Sequence, residues 1–196
     1  MTPDLKFNSH ILKIVQSASR TANLILRTFK TKKPAFMIKM FNTFVRSKLE
    51  YASIIWNPQT KMLINQLEKV QRKFTKRLPG LWDKSYTERL NILKTCSLEQ
   101  RRLKLDITFL FKFLKVYINI ESEKYFEFKS NRTRGHSMAL REHKVKKDLK
   151  KFSFAQRIIK VWNYLPEEVI SARTVNNFKT KLEDVNLTRF LRGGEP

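Results

Sequence analysis

Apolar residues recur along most of the chain at steps of three and four, the period of an α-helix that buries one side. The first such run predicts a helix whose start can be capped by Asn8 or Ser9, both suitable N-cap residues. A second helix is predicted over residues 34–56, because it opens on a proline and is followed by an Asn-Pro pair. A third is predicted over about 60–78, before a Pro-Gly pair.

Capping motifs predict where the following helices begin. SYTE at residues 85–88 and SLEQ at 97–100 have the form of capping boxes, in which a hydroxyl and an acid or amide satisfy free N–H groups. They open a short helix and a long helix that runs to about residue 118. Further helical runs cover 152–166 and the segment that follows Thr174.

These elements predict a mainly α fold, a helical bundle of about seven helices. Residues 137–147 are compatible with one small β-hairpin. The predicted organisation has four segments. They are a thumb-like helical bundle over 1–120, a basic linker or hairpin over 121–151, C-terminal helices packing on the bundle over 152–186, and a frayed tail over 187–196.

Composition adds a strong positive charge to this helical pattern. The 196 residues include 41 lysines and arginines but only 17 aspartates and glutamates, which gives a formal net charge of +24. Self-repulsion on this scale favours a polyanionic partner, of which nucleic acid is the usual one and a membrane surface the alternative.

Several classes of protein are disfavoured by the sequence. The single cysteine, Cys96, excludes an intramolecular disulfide framework and a cysteine-based zinc site. The first residues have no uninterrupted apolar stretch of the kind found in signal peptides. The most apolar stretch, 105–120, contains three charged residues and falls short of a membrane span. We therefore expect an intracellular protein, nuclear or cytoplasmic, that is not secreted and has no membrane partner.

Two groups of basic residues are candidates for contact with nucleic acid. One is a row on a face of the third helix, opposite its apolar stripe. The other lies in segment 129–151, where nine cations face two acids. The candidates are Lys69, Arg72, Lys73, Lys76, Arg132, Arg134, Lys144, Lys146 and Lys147. A solvated helix face and a solvated linker are the competing interpretations.

Candidate catalytic and metal-binding residues are not found. The aspartates are scattered, with no pair that would hold two divalent metals. Glu167 and Glu168 are adjacent, but they follow a proline in a first helical turn and suit the helix dipole. His10, His136 and His143 have no partners at ligand spacing and are interpreted as surface or capping residues. No cofactor, metal or small-molecule substrate is predicted.

The order of several motifs carries a family resemblance. LEYASIIWNP (49–58), LEKVQRKFTKRLPGL (67–81), SLEQRRLKLDITFLFK (97–112) and FSFAQRIIKVWNYLPEEVISARTVNNFKTKLE (152–183) follow one another in the chain. Together with SYTERLNIL and TRGHS, they resemble the region after the polymerase palm in reverse transcriptases of jockey-like non-LTR retrotransposons. The resemblance covers about residues 4–185, and WNYLP followed by FKTKL is its most specific part.

In that family the region supplies a thumb and a C-terminal helical extension that grip template RNA and primer. The resemblance therefore implies a non-catalytic nucleic-acid-binding region, present as a fragment or remnant without palm and endonuclease. Its partners would be RNA, an RNA–DNA primer–template and the palm or endonuclease portion of the polymerase. The aromatic residues in these motifs are interpreted as structural core. They are Tyr51, Trp56, Phe74, Trp162 and Phe178.

Two further function classes stay open at this point. One is an enzyme whose palm comes from another chain, since no catalytic aspartate pair lies in this one. The other is a basic helical module that binds a protein or a membrane surface and has no nucleic-acid role. Salt dependence of RNA binding distinguishes the last of these, because phosphate contacts make affinity fall steeply with salt.

Overall fold

The computed structural model describes residues 7–115, 118, 125–129, 135–143 and 152–193. These residues are mainly helical, which confirms the predicted fold class. They divide into two compact units. The first contains the described residues up to Arg102 together with 191–193, and the second contains those from Leu103 to Phe190. The boundary lies inside a helix, whereas the sequence pattern placed the end of the first domain at residue 120.

The first unit begins with α1 (Asn8–Thr28) and α2 (Pro34–Phe41). A π-helical turn (Asn42–Arg46) and α3 (Ser47–Glu50) continue the course of α2, and α4 (Ser53–Trp56) follows. Next come α5 (Lys61–Lys76), α6 (Tyr86–Ile92) and the start of α7 (Leu98–Leu114). No side-chain cap bond is made at the start of α1, where Phe7 and not Asn8 occupies the N-cap position.

The prediction of one helix over residues 34–56 is wrong. The helix is interrupted after Glu50, because Tyr51 has extended backbone angles and Ala52 adopts a left-handed conformation with φ of 54°. This break turns the Tyr51 side chain outward, so that 80% of its surface is exposed. Tyr51 is therefore not a core residue, although Trp56 is buried as predicted.

The core of the first unit is built from the stripes that the periodicity predicted. Phe74 of α5 is 1% exposed, and its ring centroid lies 4.8 Å from that of Phe41 in α2. The following residues surround this pair: Ile11, Ala18, Ala22, Ile25, Met37, Val45, Leu49, Leu63, Leu67, Val70 and Leu78. Helix α5 packs against α1, and the Phe41–Phe74 ring pair joins it to α2.

The second unit contains the rest of α7, α8 (Phe154–Tyr164), α9 (Glu167–Ile170), α10 (Val175–Glu183) and a 3₁₀ turn (Thr188–Phe190). Trp162 and Phe178 are fully buried, which confirms both as core residues. The ring of Phe178 stacks on Phe111 of α7 at 4.0 Å between centroids. Thr174 caps α10 by accepting a hydrogen bond from the Asn177 N–H at 3.2 Å, as predicted. The long helix α7 ends at Leu114, four residues before the predicted end.

Strand pairing in the described residues amounts to one isolated antiparallel bridge, between Phe128 and Leu140. The Lys129 N–H donates to Ala139 O at 2.9 Å, and the Arg141 N–H donates to Glu127 O at 2.7 Å. Segment 137–143 therefore pairs with residues 127–129 and not within itself. Residues 144–147 of the predicted hairpin lie outside the described part of the chain.

The predicted frayed tail is ordered as far as it is described. Leu187 is buried in the second unit. In the first unit, Glu99 accepts hydrogen bonds from the backbone N–H groups of Arg192 at 2.7 Å and Gly193 at 3.0 Å. A Cβ atom on Gly193 would lie 2.8 Å from both Glu99 and Ile64, so this close approach favours glycine.

Candidate nucleic-acid interface

Helix α5 separates apolar and basic residues onto opposite sides. Its N-cap residue is Thr60, whose side chain accepts a hydrogen bond from the Leu63 N–H. The neighbouring helix α6 begins with the predicted Ser85–Glu88 capping box. The buried stripe of α5 includes Leu63, Leu67 and Phe74. Away from this stripe the helix is exposed at several positions, among them Asn65, Lys69 and Lys76.

The exposed side of α5 carries a lysine row, which we define as Lys69, Lys73 and Lys76. These residues are spaced by four and three, so their side chains lie on one surface of the helix. Within the described residues, none of the three has a carboxylate at ion-pair distance. The row is therefore a set of solvated cations available to an anionic ligand.

Arg72 differs from its three predicted companions because it is partly buried. Its guanidinium lies 5.0 Å from the centroid of the Tyr86 ring, and its Nε is buried without a hydrogen-bond partner. Arg89 of α6 packs on the same ring at 5.4 Å. Burial lowers the pKa of Arg89 from its ordinary value. Arg72 thus joins α5 to α6, and its packing on Tyr86 restricts its reach toward a phosphate.

A buried polar network fixes α5 relative to α6 and α7. Glu68, 3% exposed, accepts hydrogen bonds from the Tyr86 hydroxyl and from the backbone N–H groups of Leu98 and Glu99 at 3.1 and 3.3 Å. Gln71 donates to the Tyr86 hydroxyl and to Cys96 O, both at 3.0 Å. The carboxylate therefore lies at the N-terminus of α7, where the helix dipole favours negative charge.

This network also changes the acidity of Tyr86. Burial raises the pKa of the Tyr86 phenol above its ordinary value, and the charge and hydrogen bond of Glu68 raise it further. The sequence analysis missed these residues. The sequence feature that could have revealed them is a second row at helical spacing beside the apolar stripe, in which polar residues follow an isoleucine. All four residues of this row are buried: Ile64, Glu68, Gln71 and Thr75.

A shallow groove of about 100 Å³ runs between α1 and α5 beside the lysine row. Lys73 and Arg77 line its α5 side, and Asn23 lines its α1 side. The Arg77 guanidinium donates to Asn23 Oδ1 at 2.8 Å. The groove is too small for a base or nucleotide. The hydrogen bond across it joins the residue that follows α5 to α1.

The other predicted contact residues, Arg132, Arg134, Lys144, Lys146 and Lys147, lie outside the described part of the chain. The segment 135–141 between them is attached to α8 by hydrogen bonds. Asn163 bonds both Leu140 N and Leu140 O at 2.8 Å, and Trp162 Nε1 donates to Met138 O at 2.9 Å. Trp162 of the WNYLP motif thus holds this segment as well as filling the core.

The three histidines and the adjacent glutamates have structural contacts. His10 is exposed and packs edge-on against Trp56, and His143 lies near Glu127. Of the two roles predicted for His136, a surface position is wrong because the residue is buried, but its Nδ1 accepts a local hydrogen bond from the Met138 N–H at 3.2 Å. Glu167 accepts hydrogen bonds from Ser137. Among the described residues, no group of three His, Cys, Asp or Glu side chains is placed to hold a metal ion.

Comparisons with known proteins give one partial likeness. An uncharacterized protein of Caenorhabditis elegans, B0403.1, is 27% identical over 124 residues, which is 62% of this chain and 59% of the relative. The match thus spans less than two thirds of the relative's length. No family model and no solved structure matches the chain. None of the described helices is long and apolar enough to cross a membrane.

Proposed function

We propose that this chain is a non-catalytic nucleic-acid-binding region that holds template RNA and primer for a retrotransposon-type RNA-directed DNA polymerase. The observation that supports nucleic-acid binding is the lysine row on α5, whereas the link to a polymerase rests on the resemblance of the sequence motifs. The row presents three unpaired cations on one side of a helix whose other side is buried and fixed to α1, α6 and α7. A rigid row of this kind places several charges against one phosphate backbone at once.

The charge of the surrounding residues supports a polyanionic ligand. Between residues 7 and 102, twenty lysines and arginines face five aspartates and glutamates. Two of these acids offset little of the positive surface charge, since the Glu68 carboxylate is buried and the Glu99 carboxylate accepts hydrogen bonds from backbone N–H groups. The uncompensated cations attract nucleic acid over a Debye length and release its counterions on contact.

The test compares wild-type protein with the triple variant Lys69→Gln, Lys73→Gln and Lys76→Gln in RNA binding at a series of salt concentrations. Each lost phosphate contact removes about 0.7 from the log–log salt slope for a single strand. We therefore expect the variant to flatten the slope by about 2 units. Its stability should change little, because exposed substitutions cost within about 0.5 kcal/mol each.

A matched control removes the same charge elsewhere. Lys115, Lys160 and Lys179 are exposed lysines of the second unit, and replacing all three by glutamine lowers the net charge equally. The control should leave the slope close to wild type if the lysine row makes the contacts. Equal slopes for both variants would overturn the proposal for this face, since only overall charge would then matter.

A further inference from the structure

The loop between α5 and α6 contains a tight turn that begins two residues after the last lysine of the lysine row. Leu78 and Leu81 are both buried, and the Leu81 N–H donates to Leu78 O at 3.1 Å. Pro79 and Gly80 lie between them, with Gly80 at φ of +74°. This is the pattern of a type II turn, in which proline takes the second position and glycine the third. Two buried leucines therefore anchor both ends of the turn.

The residue that follows this anchored turn is an exposed tryptophan. Trp82 is 71% exposed, whereas Trp56 and Trp162 are buried at 2% and 0%. In the described part of the chain its ring makes no ring contact or hydrogen bond. Trp82 lies six residues after Lys76 and is held by the turn beyond the last residue of α5. The fold thus presents a large aromatic surface to solvent a short distance along the chain from the last lysine of the row.

We infer that Trp82 stacks on an unpaired base of a nucleic acid strand whose phosphates contact the lysine row. This inference rests on the proposed function and adds the single-stranded character of the ligand. Proteins that hold single strands combine a basic surface along the backbone with aromatic rings for the bases, and every base offers a face for stacking. The neighbouring Asp83 carboxylate lies 3.4 Å from Lys84 Nζ, which offsets its repulsion of phosphate.

The surroundings of Trp82 favour a base over a membrane surface, the other partner that combines tryptophan with lysine. Membrane-surface helices bury a broad apolar face. On the exposed side of α5 the large apolar residue is Met62, at the opposite end of the helix and about 20 Å from Lys76 by the helical rise. Along α5 and the turn after it, the large exposed apolar side chains are therefore far apart, and a single ring offers little area to a bilayer but enough to cover one base.

The experiment uses the full chain with Trp82→Ala and the conservative variant Trp82→Phe. Binding of an oligouridine strand and of an RNA duplex is measured at one salt concentration, and the salt slope is measured for the single strand. We expect Trp82→Ala to weaken single-strand binding about 5- to 150-fold, with an unchanged salt slope. Duplex binding should be nearly unaffected, and Trp82→Phe should retain most of the affinity.

Tryptophan fluorescence gives a second readout that a structural role would not alter. Acrylamide should quench one of the three tryptophans in the free protein, and Trp82→Ala should remove that accessible signal. Adding oligouridine to wild-type protein should reduce the emission and protect it from acrylamide. Continued full access in the complex would show that no base covers the ring.

The outcomes separate this inference from the proposed function. If the lysine-row variant loses binding while Trp82→Ala binds like wild type, stacking is overturned and the function is retained. Equal losses on single strand and duplex also overturn stacking. If Trp82→Ala instead loses binding only to phosphatidylserine vesicles, the ring is a membrane anchor. Folded wild-type protein that does not bind RNA would overturn both proposals.

Discussion

At the scale of single residues, the segment LEYASIIWNP shows how two aromatic residues with similar sequence settings are used differently. Trp56 is buried and its Nε1 donates to Tyr51 O at 2.7 Å, whereas the Tyr51 ring is exposed. The apolar stripe of Leu49, Ala52, Ile55 and Trp56 requires a continuous helix, and Tyr51 does not lie on it. The left-handed Ala52 between Tyr51 and Trp56 changes the direction of the chain. As a result, the Trp56 ring bonds the Tyr51 backbone while the Tyr51 ring stays in solvent.

Tyr86 carries a prediction at this scale. Replacing it by phenylalanine leaves Glu68 buried without the hydroxyl donor, so we expect a loss of about 1–3 kcal/mol at neutral pH. The raised pKa of Tyr86 means that its phenol ionises more readily in the unfolded chain. Its contribution is therefore complete below the ordinary tyrosine pKa of about 10 and declines as pH rises above it, by at most about 1.4 kcal/mol per pH unit.

Urea unfolding of wild type and Tyr86→Phe, at neutral pH and about one unit above pH 10, measures this difference. The stability gap between the two proteins should narrow at the higher pH. Tyr51→Phe is the matched control at an exposed tyrosine, and it should change stability by no more than about 0.5 kcal/mol. A gap that is the same at both pH values would contradict the assigned network.

At the scale of elements, the course from Pro34 to Trp56 is one periodic run in sequence and four helical pieces in the structure. The π-helical turn Asn42–Arg46 lies between two α-helical segments, α2 and α3. Turns of this kind often occur at functional sites. The run is interrupted at Ala52, a non-glycine residue with positive φ, which is a conformation that side chains with a Cβ atom adopt at a cost. Packing of Leu49 and Trp56 on either side of the break holds it in place.

Ala52 provides the prediction at this scale. Ala52→Gly relieves the Cβ clash of the left-handed conformation, which outweighs the entropy of the more flexible unfolded chain. We expect the variant to be more stable by up to about 1 kcal/mol in chemical denaturation. Ala35→Gly, at an exposed helical position of α2, should instead cost up to about 1 kcal/mol. Destabilisation by both would show that residue 52 is not held in this conformation.

At the scale of the whole molecule, the described chain forms two compact units whose boundary lies between Arg102 and Leu103 in α7. Each unit has its own buried cluster. The first unit also takes in residues from near the C-terminal end of the printed sequence, through the hydrogen bonds of Glu99. The part of α7 after the boundary is apolar on several sides, and its buried apolar residues belong to the cluster of the second unit.

The prediction for the whole chain concerns activity. The purified protein, supplied with primer–template, Mg²⁺ and nucleotides, should give no templated extension. Two-metal phosphoryl transfer needs paired carboxylates, and the sequence contains no adjacent aspartate pair. Gel analysis of a labelled primer measures this, with a complete reverse transcriptase as the positive control. Template-dependent extension by this chain would overturn the proposal that it is a non-catalytic region.

The candidate interface was only partly predictable from sequence. The lysine row follows from spacing alone, because residues three and four apart on a helix share a surface. Arg72 fits the same spacing, but its contact with Tyr86 depends on how α6 packs, which helical period does not encode. Trp82 had no periodic context from which its exposure could be inferred, since it lies in a loop, directly after a turn whose two ends are held by buried leucines.

The sequence by itself determined the helical fold class, the buried stripes, the Ser85 and Thr174 caps and the one-sided charge of α5. Each of these depends on residues within about two helical turns of one another. Tertiary structure alone decided the exposure of Tyr51, the burial of Glu68 and the position of the unit boundary. Glu68 bonds the start of α7 thirty residues later, and Glu99 bonds Gly193 from ninety-four residues away. Contacts at such separations arise only when complete helices pack, so local periodicity cannot specify them.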